Sequence, residues 1–160
     1  MTGASRERVR TALDHREPDR IPFDLGGSRM TGIHVRAYTR LRAALGLPPG
    51  DVRVGDLTQQ LADVETDVMD LLGCDVRLVG PRSATGYRRE VVEADGYLSF
   101  RDEWGVGRRM PVDGGLYYDS FGEPLGGEVD AATIDAFAWP DPTDPGRYAG
   151  MVEAARQIAE

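Results

Sequence analysis

Asp24, Gly26, Gly27, Ser28 and Arg29 fall in one short stretch, directly after the apolar run Arg20 to Leu25. Two glycines let a backbone approach a ligand, and a guanidinium can fork onto a carboxylate. Together with the hydroxyl of Ser28, they suit the binding of a small acidic molecule. Gly80, Pro81, Arg82 and Ser83 repeat part of this pattern after a second apolar run, Cys74 to Val79. His34 stands one helical turn before Tyr38 and is a candidate proton donor. The candidate catalytic residues are therefore Asp24 and His34. The candidate substrate-binding residues are Gly26, Gly27, Ser28, Arg29, Arg82 and Ser83. Each also has an ordinary structural use: glycines and solvated arginines are common in turns, and a histidine near a helix start is often a hydrogen-bonded surface group.

Other residue types point away from chemistry. His15, His34 and Cys74 are dispersed, so no zinc site is expected within this chain. Cys74 reads as a small buried hydrophobe and His15 as a partner for a helix dipole. The stretch GGSRMTG lacks the G-x-G-x-x-G spacing of a dinucleotide site. Trp104, Tyr117, Tyr118 and Phe121 would roof a flat macrocycle, form a subunit contact, or pack a sheet layer.

The elements that must position these groups follow from periodicity. Ser5 to His15 reads as a short helix capped by Ser5 and stopped by Pro18, and Arg20 to Leu25 as a buried strand running into Gly26 and Gly27. Thr31 to Leu45 is predicted helical, with Gly46 and Pro48 as stops. Asp56 to Leu72 is predicted helical from its stripe Leu57, Leu61, Val64, Val68, Leu71 and Leu72. Cys74 to Val79 reads as a second buried strand, and strand, helices, strand is the grammar of a parallel α/β sheet. Asp95-Gly96 then predicts a hairpin of Arg88 to Glu93 with Tyr97 to Asp102, extended into a meander by Val106 to Met110 and Leu116 to Phe121. A helical turn from Thr133 to Phe137 leads to a last helix, Pro145 to Glu160, with Asp144 as its cap.

The chain has 160 residues and a net charge of −8, from 27 acidic and 19 basic side chains, all of the latter arginine. That balance argues against a general role on nucleic acid or anionic membrane. No stretch has the ~20 apolar residues of a membrane span, and the charged start lacks an apolar signal core. A cytoplasmic location is expected, with no nucleic-acid or membrane partner.

Five stretches taken in order carry a family resemblance: SRERVRTALDHREPDRIPFDLGG, TGIHVRAYTRLRAALGLP, DVETDVMDLLGCDVRLV, DEWGV and WPDPTDPGR. Together they resemble the opening half of uroporphyrinogen decarboxylase-superfamily proteins, which include the haem-pathway decarboxylase and the corrinoid or coenzyme M methyltransferases. The resemblance implies the N-terminal part of a (β/α)8 TIM barrel with an inserted hairpin and meander. A typical barrel of this kind needs ~250 residues. The barrel is therefore expected to be incomplete, with first strands and helices over 1–85, the insertion over 86–125, and a loop and helix over 126–160. Marginal stability is expected of an open barrel. Active groups lie at the C-terminal ends of barrel strands, which singles out the two glycine-containing loops, whereas Asp75 would lie on the barrel floor and speak to stability.

Within the superfamily, the haem-pathway decarboxylase carries an Arg-Gln-Ala-Gly-Arg tract after its first strand and a Phe-Ser-Asp tract after its second. Here LGGSRMTGIH and VGPRS stand in those places. The resemblance thus implies a methyltransferase-like enzyme with a small-molecule or corrinoid-protein substrate, zinc and a corrinoid in the full-length form, no cofactor within this chain, and no activity from this chain alone. Two alternatives stay open. One is uroporphyrinogen decarboxylation in tetrapyrrole biosynthesis. The other is a non-catalytic module completed by a partner chain, or by further copies in a homo-oligomer.

Overall fold

The computed structural model describes residues 3–159, so the first two residues and Glu160 of the expected last helix lie outside it. In chain order the elements are α1 (Gly3–Leu13), α2 (Val35–Ala44), β1 (Val54–Asp56), β2 (Leu61–Ala62), α3 (Thr66–Leu71), β3 (Val92–Ala94), β4 (Tyr97–Arg101), β5 (Gly107–Pro111), β6 (Asp119–Phe121), α4 (Ala131–Ala136) and α5 (Met151–Ala159). They form two compact units. The first holds residues 1–80 and 150–160, the second residues 81–149. The architecture mixes helices with two antiparallel sheets, neither of them closed: the β1–β2 pair and the meander β3-β4-β5-β6.

In the first unit, α2 starts where His34 accepts the Arg36 N–H on Nδ1 at 3.1 Å. It ends where Gly46 turns left-handed at φ +70° and the Leu47 N–H reaches back to the Arg42 carbonyl at 3.0 Å. Its apolar face carries Tyr38, fully buried against Ala62 and Val68, with Ile33, Val35, Leu41 and Val64 around them. The Tyr38 hydroxyl accepts the Glu65 N–H at 2.9 Å, immediately before α3 begins. Arg42, also buried, pairs with Glu65 and with Asp67, the latter at 3.3 Å.

Several expected elements take a different form. The helix expected over Asp56 to Leu72 exists only as α3, because the chain before it is a hairpin. Asp56 Oδ1 accepts the Gln59 N–H at 3.0 Å, and Gln60 turns at φ +54°. The 60–62 segment then bonds to the start of α2, with Val35 N–H to Gln60 carbonyl at 2.9 Å and Ala62 N–H to Ile33 carbonyl at 2.8 Å. Short polar side chains that bond their own backbone compete with a helix, and here tertiary pairing settles the competition. The helix expected from Thr31 begins at Val35, after a separate turn of 3-10 helix over Arg29–Thr31 capped by Ser28. The helix expected from Pro145 is split, since a 3-10 turn, Pro145–Tyr148, and Gly150 at φ +78° precede α5. Neither Arg20 to Leu25 nor Cys74 to Val79 is a regular strand. The Asp75 N–H joins them to each other through the Phe23 carbonyl at 2.7 Å, no continuous ladder follows, and Ile21, Phe23 and Leu78 are exposed where buried strands were expected.

The meander of the second unit follows the expected pattern. Asp95 and Gly96 both take positive φ, 50° and 77°, as a two-residue turn of this hand requires. The register pairs Val92 with Ser99 and Leu98 with Met110. Phe100 and Tyr118 pack edge to face at 5.0 Å on the buried side. Gly107 is required by packing, because a Cβ there would run into the Phe121 carbonyl of the neighbouring strand.

Candidate functional site

The loop after Leu25 is held by its own side chains. Asp24 accepts the Gly27 N–H on Oδ1 at 2.7 Å and the Thr31 hydroxyl on Oδ2 at 2.9 Å. Ser28 accepts the Met30 N–H at 3.2 Å. Both Asp24 oxygens are thus engaged in shaping the turn, which makes it a positioning residue in this geometry. The glycines answer to packing as well. A Cβ on Gly26 would lie 2.6 Å from Val64, and one on Gly27 would fall on the Asp24 carboxylate and 2.8 Å from Val76.

Beside this loop, within the first unit, lies a cavity of about 380 Å³, in the range of small-molecule sites. Gly26, Ser28 and Arg29 line one side, and Arg77 and Leu78 line another, so the ends of both apolar segments meet it. The β1–β2 hairpin contributes Arg53, Asp56 and Asp63. Leu61, Val64, Met69 and, from α5, Ile158 make an apolar wall.

The charges differ in how far they are committed. Arg77 is spent on the chain itself, donating to Asp70 at 2.6 Å and to the Cys74 and Val76 carbonyls at 2.9 and 3.0 Å. Arg29 approaches Asp56 only to 3.8 Å, although the Asp56 side chain is just 11% exposed. Arg53 and Asp63 have no side-chain partner among the described residues.

The opposite ends of the two apolar segments carry a closed ion network. Asp75, 1% exposed, receives Arg8 at 2.5 Å, Arg20 at 2.8 Å and the Phe23 N–H at 2.9 Å. Burial by itself raises this carboxyl, but the bonds from Phe23, Ser5, Arg8 and Arg20 outweigh it and hold the pKa at about 2. Arg8 is bound in turn by Asp19 at 2.7 Å, which raises its own pKa above the ordinary arginine value and lowers that of Asp19.

No family model, curated protein or solved structure matches the chain. Its site is therefore read from its own geometry.

Of the residues singled out by sequence, Gly26, Ser28 and Arg29 come together at the cavity, while Asp24 and Gly27 shape the loop behind them. His34 caps α2 and is not in the cavity lining. Its Nδ1 accepts a bond, so in that state the ring proton sits on Nε2. Arg82 and Ser83 belong to the second unit, where both are exposed and the Arg82 N–H donates to the Arg147 carbonyl at 2.9 Å. Arg53, Asp56, Asp63 and Arg77 are cavity residues not singled out by sequence; the helical reading of Asp56 to Leu72 hid Asp56 and Asp63. Gly55 and the polar run Thr58-Gln59-Gln60 are the turn signals that would have exposed the hairpin.

The described side chains do not make a zinc site. No three His, Cys, Asp or Glu residues cluster among them. Burial pushes the Cys74 thiol up, against thiolate formation. Among the described residues, no helix is long and apolar enough to cross a membrane.

Proposed function

We propose that this chain forms the first part of a barrel enzyme of the uroporphyrinogen decarboxylase superfamily, in its corrinoid-linked, methyltransferase-like branch. The observation that carries the reading is the relation of the two apolar segments. One backbone bond joins them, an ion network centred on the buried Asp75 lies toward their N-terminal ends, and a cavity of ligand size opens toward their C-terminal ends. Barrel enzymes divide their strands in the same way, with stability at the floor and chemistry at the mouth. The five resemblance stretches, and the replacement of both decarboxylase tracts by LGGSRMTGIH and VGPRS, favour the methyltransferase branch.

In this reading the chain's own residues bind and orient. Arg29 supplies a guanidinium for an acidic group, and Ser28 stands beside it at the cavity edge. Asp24, through Gly27 and Thr31, holds both at a fixed angle. His34 fixes the start of α2 below that loop. Among the described residues no three His, Cys, Asp or Glu side chains cluster to hold a metal ion.

The test is an assay of the complete gene product, in the cytoplasm-like conditions expected for it, for methyl transfer from methylcobalamin to a thiol. Uroporphyrinogen decarboxylation is run in parallel. Methyl transfer without decarboxylation is the expected result, and decarboxylation without methyl transfer overturns the choice of branch.

A further inference from the structure

Arg53 and Asp63 flank the β1–β2 hairpin as cross-strand neighbours, with the Asp63 N–H donating to the Arg53 carbonyl at 2.9 Å. Opposite charges placed across an antiparallel pair attract and ordinarily close on one another. These two side chains form no ion pair, each is without a partner among the described residues, and both are exposed residues that line the cavity. Gly55 accounts for this. A Cβ there would coincide with the Asp63 carboxylate, so its absence lets Asp63 lean along the hairpin instead of across to Arg53. Arg29 and Asp56 form a second open pair at 3.8 Å on the same cavity.

With Arg77 held by Asp70, and Arg29 and Asp56 facing each other, the charges on the wall without a side-chain partner among the described residues are one cation, Arg53, and one anion, Asp63. A simple anion would gain at Arg53 and lose at Asp63, and a simple cation the reverse. A ligand bearing both charges gains at each. Leu61, Val64, Met69 and Ile158 offer an apolar surface for whatever joins them.

We propose that the cavity binds a short zwitterion, a carboxylate and an ammonium group linked by a few methylenes. The carboxylate meets Arg53, the ammonium meets Asp63, and the methylenes lie on the apolar wall. This rests on the reading of the cavity as a small-molecule site.

The experiment titrates the 160-residue chain with 4-aminobutanoate and 6-aminohexanoate, and separately with hexanoate and hexylamine as single-charge controls. Calorimetry gives Kd, and amide shifts of Gly26, Gly55 and Leu61 report the location. At least one zwitterion is expected to bind tenfold or more tightly than either control. Arg53→Gln and Asp63→Asn should each remove that advantage, with unchanged amide dispersion elsewhere showing that the variants fold. The exchanged double variant, Arg53→Asp with Asp63→Arg, should recover it. If hexanoate binds as tightly as the zwitterions and Asp63→Asn has no effect, the zwitterion assignment fails while the cavity stands as an anion site. If no probe moves the cavity amides, the assignment and the small-molecule reading of the cavity both fail.

Discussion

The Arg8 guanidinium donates to the Asp75 carboxylate at 2.5 Å, joining α1 to the second apolar segment across 67 residues of sequence. Asp75 is sealed from solvent, and Arg20 and the Phe23 N–H complete its shell. Loss of the Asp75 charge leaves Arg8 still held by Asp19 and Arg20 43% exposed, so the cost falls below the roughly 3–5 kcal/mol of a stranded buried ion, to about 2 kcal/mol. Asp75→Asn is therefore expected to destabilise the first unit by about that much. Chemical denaturation followed by circular dichroism measures it, and a loss below about 1 kcal/mol would mean the network is solvated.

Acid should act through the same carboxylate. Asp75 has a folded pKa of about 2, depressed from an ordinary value of 3.8. Its contribution is thus fully present above pH 4 and is lost as pH falls from about 4 through about 2. The shift corresponds to on the order of 2 kcal/mol. Denaturation midpoints across that window should fall for the wild-type chain and stay flatter for Asp75→Asn.

Tyr38→Phe removes a hydroxyl that accepts the Glu65 N–H at 2.9 Å and donates to the Glu65 carboxylate at 3.5 Å. The ring stays in its buried place, and the Glu65 N–H loses its acceptor at the entrance to α3. A loss of about 1 kcal/mol is expected. Hydrogen exchange at the Glu65 amide should quicken, and an unchanged exchange rate would count against the bond.

His34 separates two roles by substitution. As the cap of α2 it should lose about 1 kcal/mol of stability on change to Ala and recover most of it on change to Asn, whose side chain caps equally well. If His34 also donates a proton to substrate, His34→Asn will restore stability without activity. Thermal melts paired with the methyl-transfer assay separate the outcomes.

Gly27→Ala should distort the loop that presents Ser28 and Arg29, because the new methyl falls on the Asp24 carboxylate and against Val76. Overpacking of this kind costs roughly 1–3 kcal/mol. Amide shifts from Gly26 to Thr31 are the measurement, and a spectrum unchanged there would show that the loop yields easily.

Legibility in the sequence followed how local each element's cause is. The meander was readable because Asp95-Gly96 fixes its turn through two adjacent residues. The body of α2 was readable from its apolar spacing and Gly46. The β1–β2 hairpin was not, since Leu57, Leu61 and Val64 keep helical spacing and only contacts with Ile33, Val35 and Tyr38 make the chain fold otherwise. That misreading concealed both of the cavity's carboxylates, Asp56 and Asp63. Gly26, Ser28 and Arg29 were found because turn chemistry marks them directly. The two apolar runs were expected as buried strands and form none, because a ladder depends on neighbours that periodicity does not encode.

The first unit is discontinuous in sequence, taking α5 from beyond the whole of the second, with Ile158 lining its cavity. On the ribosome, the meander is complete as a run of consecutive neighbours before α5 has been synthesised. Contacts close in sequence form fastest, so the second unit is expected to acquire protection early, while the cavity waits for the last helix. Pulse-labelled nascent chains halted near residue 150 should then show protected amides in β4 and β5 and an unprotected wall around Val64 and Met69.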